Sequence, residues 1–279
     1  MRPDAVVRLG KTVVQHGPAN DRVYILKLDK DDLPEVVDKI YALGRDNGYS
    51  KLFAKVPSDK AGHFTARGFI DEARVPGMYK GEVAGYFMSK YLDQSRAIPR
   101  DIERITKVLE CADQKSETAH SPTSTHQIQR LATGNAQELA ELYDTVFESY
   151  PFPVNDPGYL KQMMEENVIF YGIFQDENLV AAASAEMDKD WACVEMTDFA
   201  TLPAFRGKGA AGLLLAHMEK EMPSLGIQTA FTIARAESYG MNIVFARAGY
   251  AFGGTLHNNT QIGGKLESMN VWYKQIGTR

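Results

Sequence analysis

At 279 residues, with 44% apolar and 24% charged side chains, the chain has the composition of an ordinary globular protein of one or two domains, each able to bury its own core. A net charge of −5 with no Lys/Arg-rich run excludes a general nucleic-acid binder and suits a small cationic substrate. Two cysteines without C-x-x-C spacing and six scattered histidines predict free thiols, a reducing compartment and no metal site. The amino terminus lacks an apolar h-region and no run of about eighteen apolar residues occurs, so a cytoplasmic protein without a membrane partner is expected.

In chain order, residues 23–28 read as a strand by β-branched and aromatic content. A helix follows, with Leu33, Val36, Val37, Ile40 and Leu43 on one face, Pro34 in its first turn and Gly48 as its stop. Residues 51–56 form a second strand, a short helix ends at Phe64-Thr65-Ala66-Arg67-Gly68-Phe69, and residues 83–92 form an aromatic-rich strand. After the break at Pro99 a helix over about 101–109 leads into residues 111–126, a polar, Ser/Thr-rich linker. Residues 128–132 open a second unit as a strand. A helix capped at Asn135 buries Leu139, Leu142, Val146 and Phe147, and Tyr150-Pro151-Phe152-Pro153 stiffens the loop after it. A helix over 159–166 and two strands, 168–174 and 179–187, precede a half-buried strand over 193–201.

Next comes Pro203-Ala204-Phe205-Arg206-Gly207-Lys208-Gly209-Ala210-Ala211-Gly212, a tight turn that opens a helix. Gly207 and Gly209 allow close backbone approach, the first-turn N–H groups and helix dipole favour an anion, and Arg206 and Lys208 add two cations. The stretch predicts a pyrophosphate cradle. It is neither a P-loop nor a G-x-G-x-x-G dinucleotide turn. A strand over 229–234, a short helix ending Phe245-Ala246-Arg247-Ala248-Gly249-Tyr250 and a strand over 268–273 complete the chain.

The last elements repeat the order of the first. Both runs carry Phe-x-x-x-Gly-aromatic after a strand, then an aromatic-rich strand containing Met and Lys. The first run has Lys30-Asp31-Asp32-Leu33 where the second has its Gly-rich turn, and carboxylates there would repel a pyrophosphate. The expected division is a degenerate first copy over 1–98, a helix and linker over 99–126, and the working domain over 127–279.

Arg206-x-x-Gly209-x-Ala211 resembles the Gln/Arg-x-x-Gly-x-Gly/Ala acetyl-CoA motif of the GNAT superfamily of N-acetyltransferases, and the element order of residues 128–276 is that of a whole GNAT domain. The implied fold is α/β (α+β), a mixed central sheet flanked by helices, preceded by a half-GNAT-like copy. Asn20-Asp21-Arg22-Val23, the Tyr150 loop, Met196-Thr197-Asp198 and residues 267–273 extend the resemblance, over nearly the full length, to the β-lysine N6-acetyltransferases. That resemblance implies acetyl transfer from acetyl-CoA to the N6 amine of β-lysine, giving a compatible solute, with no metal.

It implies Phe199, Ala200, Thr201, Arg206, Gly207, Lys208, Gly209, Ala210, Ala211 and Asn242 at the acetyl-CoA, and Tyr150, Glu186, Asp198 and Asn270 at the acceptor. Glu195 takes the place of the general base, and Asp198 is assigned to catalysis or to the substrate. The family's tyrosine general acid is replaced by Phe245, which leaves Tyr239 as the alternative acid, or a core or cap residue. Transfer to another small cationic amine, such as a lysine or polyamine analogue, and a non-catalytic acyl-CoA sensor stay open, as does a homodimer.

Overall fold

Strand-forming and helix-forming stretches alternate along the chain, and the computed structural model, which describes residues 4–116 and 127–277, joins thirteen strands into one mixed sheet. Strands β1 (Ala5–Leu9) and β2 (Thr12–Gly17) make a hairpin that pairs with β3 (Arg22–Lys27). Helix α1 (Glu35–Asp46) buries Val36, Val37, Ile40 and Gly44, and β4 (Lys51–Pro57) returns parallel to β3. The short α2 (Ala61–Thr65) precedes the antiparallel pair β5 (Ile70–Tyr79) and β6 (Val83–Tyr91).

Helix α3 (Ile102–Ser116) leads to β7 (Ile128–Arg130), then α4 (Ala136–Val146) and α5 (Pro157–Glu165). The meander β8 (Val168–Gln175), β9 (Asn178–Asp188) and β10 (Cys193–Thr201) is antiparallel throughout. Then follow α6 (Ala210–Glu221), β11 (Thr229–Arg235), α7 (Tyr239–Arg247), β12 (Ala251–Ile262) and β13 (Lys265–Gln275).

The strand order is β1-β2-β3-β4-β6-β5-β12-β13-β11-β10-β9-β8-β7. The run β3-β4-β6-β5 has one parallel pair followed by two antiparallel ones, and so does β10-β11-β13-β12. The two runs meet edge to edge where Gly254 faces Ala73, so each is the other's continuation. A Cβ at Gly254 would collide with the Glu72 carbonyl and the Ala73 backbone, which is why glycine stands at the junction. One apolar cluster packs Phe53, Val75 and Phe87 of the first run against Phe231, Leu256 and Val271 of the second. Each such side chain contributes about 1.5–3 kcal/mol on burial, so the halves share a core.

The linker expectation needs correction at its start. Residues 111–116 continue α3, because Ile105, Val108 and Ala112 form one buried stripe, and Ala112 joins the core beneath Phe245 and Ala246 of α7. Arg104 Nε also donates to the Glu237 carbonyl at 2.9 Å, tying α3 to the second half. The rest of the expected linker, residues 117–126, lies outside the described residues.

Candidate active site

The site is built around an interruption in β10. Its parallel pairing with β11 ends at Glu195, opposite Phe231, although β10 runs on to Thr201 and β11 to Arg235. On its other side the register with β9 shifts between Thr197 and Ala200, and Asp198 sits there at φ 53. This is a β-bulge, and the unpaired backbone beyond Glu195 can hydrogen-bond an extended ligand. Phe199 turns toward α7 and meets Phe245 edge-on at 5.6 Å between ring centres, so the expected acid position holds a buried phenyl ring. Ala200 is buried by its methyl group and has only backbone to offer a ligand.

At the end of β10 the chain makes one 3-10 turn over Pro203–Phe205 and enters α6 through Gly207 at φ 78 and Gly209 at φ 84, the N-cap. Left-handed backbone at two positions favours glycine, and the space where side chains would stand is open at both. Arg206, Gly207, Lys208 and Gly209 are exposed, followed by the first-turn residues Ala210 and Ala211. Arg206 Nε reaches back to the Thr201 carbonyl at 3.2 Å, and Lys208 Nζ lies 4.8 Å from the Phe205 ring centre. Two exposed cations thus stand beside N–H groups at a helix start, an arrangement that suits an anion with two phosphate groups.

On the other side of Glu195 lies a cavity of about 590 Å³ between the two halves. Leu26, Lys55 and Met78 come to it from the first half, and Met163, Val168, Glu186, Glu195 and Phe231 from the second. Glu186 and Glu195 face each other across the β9–β10 ladder. Two carboxylates so placed cannot both ionise cheaply. Burial pushes the Glu195 carboxyl up to about 7; Lys55 opposes the rise, and Glu186 and Asp198 add to it. Glu186 is raised in the same sense, first by its enclosure, although its carboxylate is exposed to the cavity itself. Lys55 is the site residue that the sequence reading missed.

The other expected residues fall into three places. Asp198 accepts from the Tyr150 hydroxyl and from Ser184 Oγ at 2.6 Å, fastening the Tyr150 loop to the bulge, and neither Asp198 nor Tyr150 lines the cavity. Burial raises the Asp198 carboxyl, against its hydrogen bonds from Ser184, Tyr150 and Thr197. Tyr239 is exposed at the start of α7, with the Arg104 guanidinium 5.9 Å from its ring centre, and is not brought to the carboxylates.

Asn242 and Asn270 lie together in a buried network away from the cavity. Asn242 is fully buried; its Nδ2 donates to the carbonyls of Arg235 and Ser238 at 2.9 and 2.6 Å, and its Oδ1 accepts from Asn270 Nδ2 and Trp272 Nε1 at 2.9 Å each. Those bonds exhaust an amide, so Asn242 ties α7 to β13 and has nothing left for CoA. Asn270, whose Oδ1 accepts from Thr255 at 2.8 Å, is buried in the same network and does not line the cavity. Among the described residues no His/Cys/Asp/Glu group is arranged to hold a metal. No helix there is long and apolar enough to cross a membrane.

Residues 137–250, which include the bulge, the cradle and α7, match the acetyltransferase (GNAT) family. A "Beta-lysine N(6)-acetyltransferase" of Methanococcus maripaludis is 38% identical over 97% of this chain and 98% of its own. The chain belongs to the GNAT family. An "N-acetyltransferase YodP" of Bacillus subtilis is 32% identical over 95% of the chain, and a "Beta-lysine N(6)-acetyltransferase" of Methanosarcina mazei 27% over 87%; the matches span 96% and 97% of those relatives. Among solved structures, a ribosomal-protein-S18-alanine N-acetyltransferase of Escherichia coli aligns with TM-score 0.49 and 15% identity, covering 56% of this chain and 96% of that one.

As a family member the protein is an acetyl-CoA-dependent N-acetyltransferase. An alkylammonium group of ordinary pKa about 10.4 cannot attack a thioester until it loses a proton. Glu195 stands beside the end of the β10–β11 pairing with its proton affinity raised toward neutrality. Once deprotonated, the amine forms the amide bond as the thioester bond breaks, and the proton that its nitrogen then sheds balances the one the CoA thiolate takes up to leave as the thiol.

Proposed function

We propose that the chain transfers the acetyl group of acetyl-CoA to the N6 amine of β-lysine, giving N6-acetyl-β-lysine and CoA. The carrying observation is that the relatives named for this reaction match along nearly the whole chain, including the first half that walls the acceptor cavity. The residues support the reading. Five carboxylates and three ammonium groups line the cavity, an excess of negative charge that suits an acceptor with two ammonium groups and one carboxylate. The apolar walls at Leu26, Met78, Val168 and Phe231 suit its methylene chain.

In this reading Glu195 is the base, and Glu186 shares its charge and holds the approaching ammonium group. Residues 199–201 and 206–211 hold acetyl-CoA, and Asp198 with Tyr150 shapes the acceptor side of the bulge. Residues 1–98 are a half-copy that completes the cavity without binding acetyl-CoA, and 127–279, with α3 packed on them, are the catalytic unit. The product has lost one of its two ammonium charges, as befits a compatible solute kept in the cytoplasm.

The test is CoA release with a panel of amines, with the product's acetylated nitrogen identified by NMR. β-Lysine acetylated at N6, with a specificity constant about tenfold or more above that of α-lysine, is expected, since an isomer that leaves a buried charge unpaired loses a few kcal/mol. Equal constants for the two isomers would overturn the assignment of the acceptor.

A further inference from the structure

Lys55 is the member of the cavity that acetyl transfer itself does not explain. A base is weakened by a cation beside it, and Lys55 opposes the proton affinity of Glu195. It lies on β4 on the same face as Lys51 and Phe53. Lys51 is spent within the fold, with Glu72 and the His257 carbonyl each 2.8 Å from its Nζ. Lys55 is not. Among the described residues it forms no direct ion pair, whereas Lys27, another cation of the cavity, holds Asp190 at 3.3 Å at the rim.

The ammonium group is nonetheless fixed in place. Its Nζ is 5.8 Å from the Tyr24 ring centre and 5.6 Å from that of Phe231, the residue paired with Glu195. Burial alone would drive off its proton, but Tyr24, Glu195 and Glu186 together hold it charged. A positioned, enclosed ammonium group without a carboxylate of its own is a receptor for one.

We propose that Lys55 receives the carboxylate of the acceptor, so that the first half of the chain selects a diamino acid over a simple diamine. The inference rests on the reaction proposed above and adds the group that reads the acid end of the substrate. Glu186 and Glu195 can meet the ammonium groups and Lys55 the carboxylate, so the cavity carries a partner for each kind of charge on a zwitterionic acceptor. A diamine brings no carboxylate to Lys55 and sets a further cation in the same cavity, so it forgoes a contact that the diamino acid makes.

The experiment compares the wild type with Lys55→Met, which keeps the length of the side chain and removes its charge. Each is assayed with β-lysine and with the diamine that remains when its carboxyl group is removed. The expected result is a KM for β-lysine raised about tenfold or more, a KM for the diamine unchanged or lowered, and unchanged acetyl-CoA affinity, which certifies folding. Equal changes for both acceptors would overturn the proposal. So would a change confined to kcat and to the pH of its acidic limb, because Lys55 would then act only on Glu195. If the wild type ignores β-lysine and acetylates another amino acid, the proposed acceptor falls, and the same comparison between that acid and its decarboxylated form still decides the role of Lys55.

Discussion

Asp198 shows how one residue combines backbone and side-chain constraints. Its φ of 53 makes the bulge, and its carboxylate collects the hydroxyl groups of Tyr150 and Ser184. Asn tolerates left-handed backbone and keeps one acceptor oxygen, whereas Ala does neither. Asp198→Ala is therefore expected to cost about 2–3 kcal/mol in stability, because two buried hydroxyl groups lose a charged acceptor, and Asp198→Asn about 1 kcal/mol or less. Urea denaturation of the two variants reads the difference, and equal midpoints would remove the bulge-fastening role. The sequence made Asp198 visible as a carboxylate on the right strand. It did not reveal that the side chain turns toward the Tyr150 loop, because that depends on a register shift between two strands. Lys55 was hidden for a related reason: a lysine alternating with Leu52, Ala54 and Val56 reads as an exposed strand position until the opposite half supplies Glu186 and Glu195.

At the scale of elements, the turn into α6 was the most legible feature, since glycine spacing and flanking cations carry their physics locally. Gly207 and Gly209 have the left-handed conformations that their identity allows. Gly209→Asp strains the backbone by about 1–2 kcal/mol and sets an anion at the helix start, and Arg206→Ala removes a cation. Both should weaken acetyl-CoA binding at least several-fold in calorimetric titration, with a stoichiometry near one per chain in the wild type. Unchanged affinity in both variants, or a stoichiometry near two, would contradict the cradle assignment. The single site follows from the first copy, where Asp32 accepts from the Lys11 and Thr12 N–H groups at 2.8 and 2.7 Å and Asp31 from Lys11 Nζ at 2.7 Å. The hairpin β1–β2 thereby closes the place that the cradle occupies in the second run. Strands β5 and β12 were not legible. Gly253, Gly254, the polar run from His257 to Gln261, and Pro76 in β5 are poor strand formers on their own, and the close approach of two sheet edges makes strands of them.

The whole molecule is held at that junction by polar groups of the first half that grip β12. Arg22 donates to the Asn259 carbonyl, Arg96 Nε to that of Asn258 at 3.0 Å, and Asn20 Oδ1 accepts from the Gln261 N–H at 2.8 Å. The Asn20-Asp21-Arg22 stretch, part of the family resemblance, is thus a clamp between the halves. Its consequence reaches the chemistry, because the clamped halves enclose Glu195, and its proton affinity depends on burial by both. Raised above the ordinary 4.5 to about 7, the Glu195 carboxyl is protonated in acid, and the proposed base therefore becomes competent only as pH rises through neutrality. The pH dependence of kcat at saturating acetyl-CoA and acceptor, for the wild type and Glu195→Gln, tests this most directly. The wild type should rise with an apparent pKa near 7 and level off. Glu195→Gln should turn over about a hundredfold more slowly, with no break near neutrality and a residual rate that climbs steadily into alkali as the free amine becomes more abundant. A Glu195→Gln variant with near wild-type turnover and the same plateau would contradict the account.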